Sequence, residues 1–590
     1  MNGADLERAD SWLGRLGGAV TIAELLLAAA ILLLAFLAPG AGRGWFERIE
    51  RGAATLARSR WGAILAVGAL VLLARAAFLP WFGPPVPISY DENSLVLQAQ
   101  TFAAGRWANP TPPFWEHFEA VYVNLVPAYA SMYFPGRGLP LAAGLAVAGH
   151  PWIGAWLSFV LMAMAAVWML QGWVSRPLAL LGGVLVVLRL GVFSYWVNSY
   201  QGGAFAALGG MLVVGAVPRV LRSPGWSNGL ALAVGAVILL ITRPVEGALL
   251  CVPIGIFMLA AMLRKKAYPW ARLAVRVALP VAALCALGGA ALLAHNRATT
   301  GDALTAPYDL NRQAYAITPA FLTQPRIEGE QRGPAYFRKV FEAEDASYAR
   351  RSSAGQLAIG VAAKLFYNWN FYLGLLLTAP FIAGLWAART DYMLTGTAAL
   401  FFAGYAFQTW NFPHYTAPIY PVILVILMKG FGWLRAWRPR GRDAGLFLAR
   451  ALPAATLLVL AVPASSVVTG WPALESNARS QACCALQQST LRAQLSARLN
   501  AVPGRDLVMV NSDMLHPTFE PTVYNDPDIA GADVIWAHKL DPRKDAALQR
   551  FHAGRTVWEL DWADDGTPRL GRVSPIAQIG EAEAGGRTRP

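Results

Sequence analysis

Charged residues are scarce in this sequence. They make up 14% of its 590 residues, whereas average soluble domains carry about a quarter. Hydrophobic residues account for 56% of the chain, and the mean hydropathy is +0.41. This composition excludes an ordinary soluble enzyme and favours an integral membrane protein.

Cysteines are also few, and they show no metal-ligand spacing. Cys251 and Cys285 lie in apolar segments, where a thiol packs as a small hydrophobic group. Cys483 and Cys484 are sequence neighbours, which disfavours a structural disulfide between them. The chain lacks a Walker loop and an HExxH motif as well, so chemistry driven by a cytosolic nucleotide is unsupported.

The net charge of +14 does not indicate a nucleic-acid partner. Most Lys and Arg residues lie in short links between apolar segments, where the orientation of a membrane protein requires them. About a dozen apolar runs approach the roughly 20 residues needed to cross a bilayer. They lie near 20–38, 61–79, 152–172, 178–197, 203–217, 228–242, 247–263, 277–294, 371–388, 393–410, 415–433 and 446–467.

Basic clusters recur at every second link, which predicts that these links are cytoplasmic and the others external. The first run follows an acidic leader, so we predict an uncleaved span with an external N-terminus. This gives an all-α polytopic membrane protein with an external, small α/β C-terminal domain, in a bacterial inner membrane with its site on the periplasmic side. The predicted parts are an extra span and basic link (1–60), a membrane domain (61–467) with external loops 80–150 and 295–356, a soluble domain (468–575) and a disordered tail (576–590).

The C-terminal domain is predicted from a change of pattern after the last apolar run. Residues 506–511, 533–537 and 555–560 have the composition of short strands, and 541–551 has the pattern of a helix. Turn residues separate these segments. The pattern predicts a small α/β domain.

The acidic pair Asp91-Glu92 is the sharpest candidate site. It follows a proline-rich exit from an apolar segment and precedes a short predicted helix at 93–105. Acidic groups where a membrane helix meets water are costly unless they are paired or used. We predict that Asp91 is a general base, with Glu92 supporting it or orienting an acceptor. The alternative is that the pair caps the helix and complements its dipole.

A second cluster contains Glu116, His117 and Glu119. Its two carboxylates, at positions i and i+3, are also typical of a solvated helix face. An acceptor-site role is the alternative. The cluster offers too few ligands for a metal site, so a divalent metal is possible but unsupported.

Two arginines are candidate anion binders, Arg137 in an external turn and Arg243 at the end of an apolar run. A guanidinium binds phosphate oxygens in a bidentate manner, although Glu246 could pair with Arg243 instead. Further hydrogen-bonding groups in external segments could line a substrate pocket. They are Tyr90, Tyr200, His414 and Tyr415.

The external segments carry a resemblance to a known family. The acidic pair in Tyr90-Asp91-Glu92, the Phe102–Gly105 helix end, the Tyr133–Gly138 turn and the many spans before an external domain are together similar to the C-type polytopic glycosyltransferases. This group includes the family-39-like protein O-mannosyltransferases and the lipid A aminoarabinose transferases. The chain departs from it in its extra first span and in having Pro135-Gly136-Arg137-Gly138 where many members have a Lys-Pro-Pro-type turn.

The resemblance implies an inverting transfer of a sugar from a polyprenyl-phosphate donor to a lipid, glycan or protein acceptor. Asp91 would be the base, and Arg137 with Arg243 would hold the donor phosphate. Two other classes stay open from the sequence. One is a polytopic transporter or flippase, and the other is a non-catalytic envelope-assembly protein.

Overall fold

The computed structural model describes residues 16–469 apart from Lys266 and Glu330, and residues 490–573 apart from Met514. Cys483, Cys484 and the predicted disordered tail lie outside this part. Long apolar helices form one layer of the molecule. A second layer of shorter helices and small sheets carries the polar residues.

Each of the twelve predicted apolar segments falls on a helix. These helices are Leu16–Leu37, Arg60–Ala76, Pro151–Leu170, Arg176–Leu190, Gly203–Arg222, Trp226–Thr242, Pro244–Leu263, Trp270–Thr300, Thr378–Ala387, Tyr392–Tyr405, Ala417–Ala436 and Ala444–Thr469. Seven helices of the described residues are long and apolar enough to cross a membrane, or eight if the bent pair Arg43–Arg58 and Arg60–Ala76 is one span. The other predicted spans end early as helices, so fewer of them satisfy the length criterion.

Close contacts between helices explain why the apolar segments contain glycines. A Cβ at Gly210 would lie 2.5 Å from the carbonyl oxygen of Pro418, and one at Gly209 would lie 3.0 Å from that of Gly235. Because a side chain does not fit in these spaces, the glycines permit the helix backbones to approach.

One charged pair ties the first helix to the rest of the apolar layer. Arg189 donates to Glu24 at 2.6 Å, and it also donates to the carbonyl oxygens of Asn370 and Phe371. Buried charges are tolerated when they are paired in this way.

The second layer, which is the predicted external layer, is built from the segments between the apolar helices. Its helices are Tyr90–Ala103, Pro135–Ala148, Pro307–Tyr315, Ala335–Tyr348 and Ala354–Tyr372, and its antiparallel strands are β1 (Asn109–Pro110), β2 (Val123–Asn124) and β3 (Ala128–Ser131), in the order β1-β3-β2. The predicted helix at 93–105 is present, but it begins at Tyr90. The expected turn after Tyr133 is the start of a helix, because Pro135 fits a first helical position.

The C-terminal domain contains a four-stranded sheet. Its strands are β4 (Asp506–Val510), β5 (Val534–His538), β6 (Thr556–Trp562) and β7 (Pro568–Arg572), in the order β5-β4-β6-β7. β4 is parallel to β5 and β6, and β7 is antiparallel to β6. The helices Leu491–Asn500 and Pro542–Phe551 accompany the sheet. Three strands and the second helix agree with the prediction, whereas β7 and the first helix were not predicted.

This domain packs against the 80–150 loop. The hydroxyl of Tyr129 donates to the backbone of Asn525 at 2.7 Å, and that of Tyr524 donates to the backbone of Val121 at 2.6 Å. A shared apolar cluster includes Leu97 from the loop. The domain is therefore part of the external layer that surrounds the acidic pair.

Candidate active site

The acidic pair opens the Tyr90–Ala103 helix, and its two carboxylates have different surroundings. Ser89 is the N-cap residue and forms a capping box with Glu92. The Glu92 carboxylate accepts from the backbone N–H groups of Ile88 at 2.8 Å, Ser89 at 3.2 Å and Tyr200 at 3.4 Å. Glu92 thus joins the helix start to a neighbouring segment. The predicted catalytic or acceptor-orienting role of Glu92 gains no support from this arrangement, because its buried oxygens are occupied by backbone donors.

Asp91 takes no part in the capping box. Its Oδ1 accepts a hydrogen bond from the Tyr133 hydroxyl, and the residue is only half-buried. Burial and the negative charge of Asp91 raise the pKa of Tyr133, so this phenol stays protonated as the donor. The carboxylate of Asp91 is therefore held in one orientation by a neutral group.

Arg137 lies on the other side of Tyr133. Its guanidinium carbon is 3.9 Å from the centre of the Tyr133 ring, and the side chain is only 4% exposed. Nη2 donates to Gln201 Oε1 at 3.0 Å, while the buried Nε has no hydrogen-bond partner among the described residues. Burial, with the nearby positive charge of Arg243, lowers the pKa of Arg137.

Arg243 is the second buried guanidinium of this region. It is 7% exposed and lies 4.1 Å from the centre of the Tyr415 ring. Its ion pair with Glu246 is long, at 3.6 Å, because Glu246 also accepts from Gln408 Nε2 at 3.0 Å. In the described part of the chain, nothing pairs with Arg243 Nη2.

Both guanidinium groups line one cavity of about 790 Å³. Ligand pockets commonly measure about 300–1,000 Å³. Tyr133 and Tyr415 belong to its wall beside the arginines. Arg137 Nε and Arg243 Nη2 are enclosed by protein, and buried donors without partners are rare in folded proteins. The two guanidinium groups therefore carry positive charge that the described residues only partly compensate. The cavity therefore suits an anion that enters between the two arginines.

A second part of the cavity wall comes from the 295–356 loop. The Pro307–Tyr315 helix contributes Tyr308, Asp309, Arg312 and Gln313 to it. Arg312 is 4% exposed, and its Nη2 donates to Glu344 at 2.7 Å. This part of the cavity wall was not predicted from the sequence, because no motif marks the helix. An Arg four residues after a Tyr is a weak signal.

Several predicted site residues lie outside this cavity. Glu116 accepts from Lys544 at 2.6 Å, His117 Nε2 lies 3.2 Å from Asp545, and the backbone oxygen of Glu119 contacts His538 Nε2 at 2.6 Å. The three residues therefore contact the C-terminal domain instead of forming an acceptor pocket with Asp91.

Three further predicted residues have structural partners. Tyr90 donates to the backbone of Thr518 in the C-terminal domain at 2.5 Å, and Tyr200 donates to Pro85 at 2.6 Å. His414 is buried beside Tyr195, with Nδ1 at 3.2 Å from the phenol oxygen. Burial and two nearby arginines lower the pKa of His414 well below its usual range, so the ring is neutral. Of the substrate-pocket residues predicted from sequence, the cavity wall includes Tyr415.

The described residues contain no group of three or more His, Cys, Asp or Glu side chains that could hold a metal ion.

Comparisons with known proteins give structural similarities at low identity. No family model matches the chain, and no curated protein sequence matches it. The structure of ArnT from Cupriavidus metallidurans in the apo state is similar over 85% of this chain and 94% of that protein, with 14% identity and a TM-score of 0.45. The same protein bound to undecaprenyl phosphate gives 85% and 93% coverage, 12% identity and a TM-score of 0.47.

An oligosaccharyltransferase is also similar. The structure of the Archaeoglobus fulgidus enzyme in complex with Zn and sulfate covers 76% of this chain and 60% of that protein, with 12% identity and a TM-score of 0.45. At these identities and scores, the similarities assign neither an activity nor a substrate to this chain.

Proposed function

We propose that this chain is a membrane glycosyltransferase that moves a sugar from a polyprenyl-phosphate donor to an extracytoplasmic acceptor. The observation that carries the proposal is that two buried arginines line one cavity, one with a neutral partner and the other with a long ion pair. Arg137 is connected to Asp91 through Tyr133. Such a transfer needs two parts, which are a positively charged site that binds an anion and a carboxylate that is held in position.

Arg137 and Arg243 bind the donor phosphate in this proposal. Two guanidinium groups that are close enough to lower the pKa of Arg137 repel each other when the site is empty. A phosphate in the cavity removes this repulsion and accepts charge-assisted hydrogen bonds from the two guanidinium groups. As the leaving group gains charge in the transition state, its interaction with both cations strengthens and lowers the barrier.

Asp91 acts as the general base. The proton of an acceptor hydroxyl moves to the Asp91 carboxylate while the acceptor oxygen forms a bond to the anomeric carbon. The bond from that carbon to the phosphate oxygen breaks, and its electron pair leaves with the polyprenyl phosphate. Attack opposite to the leaving group inverts the anomeric configuration. The Tyr133 hydroxyl orients the carboxylate throughout this step.

The same proposal places the chain in a bacterial inner membrane with its cavity on the periplasmic side. The basic links of the sequence support this orientation. The acceptor would be a lipid, a glycan or a protein that reaches Asp91 from the external layer.

The test compares membranes that contain the wild type, Asp91→Asn or Glu116→Gln, each incubated with labelled polyprenyl-phosphate sugars. Glu116→Gln is a matched control, because it neutralises an exposed carboxylate of the same external loop. We expect Asp91→Asn to lower the loss of label from the lipid at least about a hundredfold, the contribution of a general base, and Glu116→Gln to retain it. Equal turnover of all three proteins would remove Asp91 from the mechanism. Movement of an intact labelled lipid or solute, without sugar transfer, would favour a transporter.

A further inference from the structure

The cavity has two chemically different walls. Arg137 and Arg243 supply the cationic wall. The second wall is the Pro307–Tyr315 helix, whose cavity residues have the spacing i, i+1, i+4 and i+5. Residues at such positions share one face of a helix. The other face is used for packing, since Asn311 donates to Val123 at 3.1 Å and Tyr315 donates to Glu119 at 3.0 Å.

Polar groups on the cavity face of this helix lack protein partners. Asp309 and Gln313 are exposed to the cavity, and neither side chain has a hydrogen bond to another described residue. Arg312 is almost wholly buried, yet its Nε has no acceptor within the described ranges. Asp309 offers acceptors, and Gln313 offers both a donor and an acceptor, which is the mixture that a hydroxyl-rich ring requires.

Aromatic groups lie beside these polar groups. The Tyr308 ring packs edge-on against Trp410 with 6.4 Å between ring centres, and the Arg312 guanidinium lies 4.8 Å from the Trp410 ring. Tyr308 itself lines the cavity. An aromatic surface next to hydrogen-bonding groups suits the C–H face and the hydroxyls of a sugar together.

Charge at this wall distinguishes between classes of sugar. The cavity cations Arg312 and Arg326 are each paired, with Glu344 at 2.7 Å and Asp345 at 2.8 Å. Asp309, in contrast, has no cationic partner among the described ion pairs. A sugar that carries a carboxylate would place a like charge beside Asp309, which is unfavourable.

We infer that the Pro307–Tyr315 helix binds the sugar ring of the donor, with Asp309 and Gln313 as specificity-determining residues for a neutral, hydroxyl-bearing sugar. This inference rests on the proposed function, because it assigns the second wall of the same donor cavity. Asp309 accepts hydrogen bonds from ring hydroxyls, Gln313 donates to ring oxygens, and acidic sugars are rejected.

The experiment measures equilibrium binding of three labelled lipids to purified protein in nanodiscs. The lipids are polyprenyl phosphate, polyprenyl-phosphate hexose and polyprenyl-phosphate hexuronic acid. The proteins are the wild type, Asp309→Ala, Gln313→Ala and the control Glu342→Gln, which removes an exposed carboxylate outside the cavity. Asp309 and Gln313 are chosen over Arg312 because the Arg312–Glu344 ion pair is buried and its loss could impair folding.

We expect the wild type to bind the hexose lipid more tightly than polyprenyl phosphate and the hexuronic acid lipid more weakly than the hexose lipid. Asp309→Ala should weaken hexose-lipid binding about tenfold, leave polyprenyl phosphate binding unchanged and reduce the discrimination against the acid. Gln313→Ala should weaken hexose-lipid binding alone, and Glu342→Gln should behave as the wild type.

Three results would overturn the inference. If the wild type binds the hexose lipid and polyprenyl phosphate equally, the sugar ring makes no contact with this wall, although the phosphate site stands. If Asp309→Ala weakens the binding of all three lipids equally, that residue contributes to general packing. Absence of binding of any of the lipids to the wild type would reject the inference together with the donor site itself.

Discussion

The cavity lined by Arg137 and Arg243 and the interface with the C-terminal domain both contain charged groups, but they use these groups in different ways. At the interface, Glu116 pairs with Lys544 and His117 pairs with Asp545. In the cavity, Arg137 has a neutral partner, Gln201, and Arg243 has a long ion pair. The sequence had marked both regions as candidate sites.

This difference separates a structural cluster from a binding site. A titratable group that is paired with a neighbouring side chain stabilises the fold. A ligand gains little binding free energy from such a group. A buried cation whose N–H groups lack acceptors costs free energy until a ligand arrives. We therefore expect substitutions in the cavity to change binding and substitutions at the interface to change stability.

The largest effect is expected for Arg137→Gln. This change removes a buried cation from the phosphate site, and a charge-assisted hydrogen bond contributes about 1.5–3 kcal/mol. The affinity for polyprenyl phosphate, measured with labelled lipid in nanodiscs, should therefore fall roughly tenfold to a hundredfold. Folding should be retained, because no carboxylate is left unpaired.

The control for this comparison is Arg326→Gln, which removes a half-exposed cation of the same cavity that is already paired with Asp345. It should bind polyprenyl phosphate as the wild type does. If Arg137→Gln binds the lipid normally, the cavity is not the phosphate site, and the contrast with the interface fails.

A smaller effect, on stability alone, is expected for Glu119→Gln at the interface. Burial raises the pKa of Glu119 from its ordinary 4.5 to about 7. Between these values the folded protein holds a proton that the unfolded chain has lost, so the contribution of this group to stability decreases as pH rises through that window. A glutamine resembles the protonated form at every pH.

Glu119→Gln should therefore raise the melting temperature of the purified protein at pH 8 and change it little near pH 4.5. Each pH needs its own wild-type reference, because His538 and His516 act in the opposite direction. Burial lowers their pKa values to about 3 and about 4, so their contribution is lost as pH falls below 6.5. A melting temperature of Glu119→Gln below that of the wild type at pH 8 would contradict this account.

The smallest effect is expected for Lys544→Ala. This lysine pairs with Glu116 at 2.6 Å, but both side chains are nearly half exposed. Solvent screens such pairs, so they contribute little to stability. Neither the melting temperature nor donor binding should change measurably, and a clear fall in sugar transfer would show that the interface acts on the catalytic cavity.

Local patterns account for the elements that were predicted correctly. Apolar runs gave all twelve helix positions, and short apolar segments between turn residues gave three strands of the C-terminal sheet. The Tyr90–Ala103 helix was marked by its acidic start and by Gly105, which has a positive φ of 73°. β7 was missed because its strand Pro568–Arg572 is polar and mostly exposed, so it lacks the apolar residues on which strand prediction depends.

The candidate site was only partly predictable. Asp91, Arg137 and Arg243 stand out in the sequence because a charge at the end of an apolar segment needs a reason. Tyr133 and Gln201 do not stand out, although they hold Asp91 and Arg137 in place. The partners of the acidic pair and of the Glu116–Glu119 cluster lie in segments that are far away along the chain.

The sequence by itself determined the membrane character of the protein, the positions of its helices and the α/β nature of its C-terminal domain. These properties follow from composition and from periodicity over a few residues. Only the tertiary structure decided that Glu92 supports a helix start and that Glu119 belongs to a domain interface. It also decided that the Pro307–Tyr315 helix lines the same cavity as the two arginines. Whether a polar atom has a partner depends on contacts between distant segments, and local patterns carry no information about these contacts.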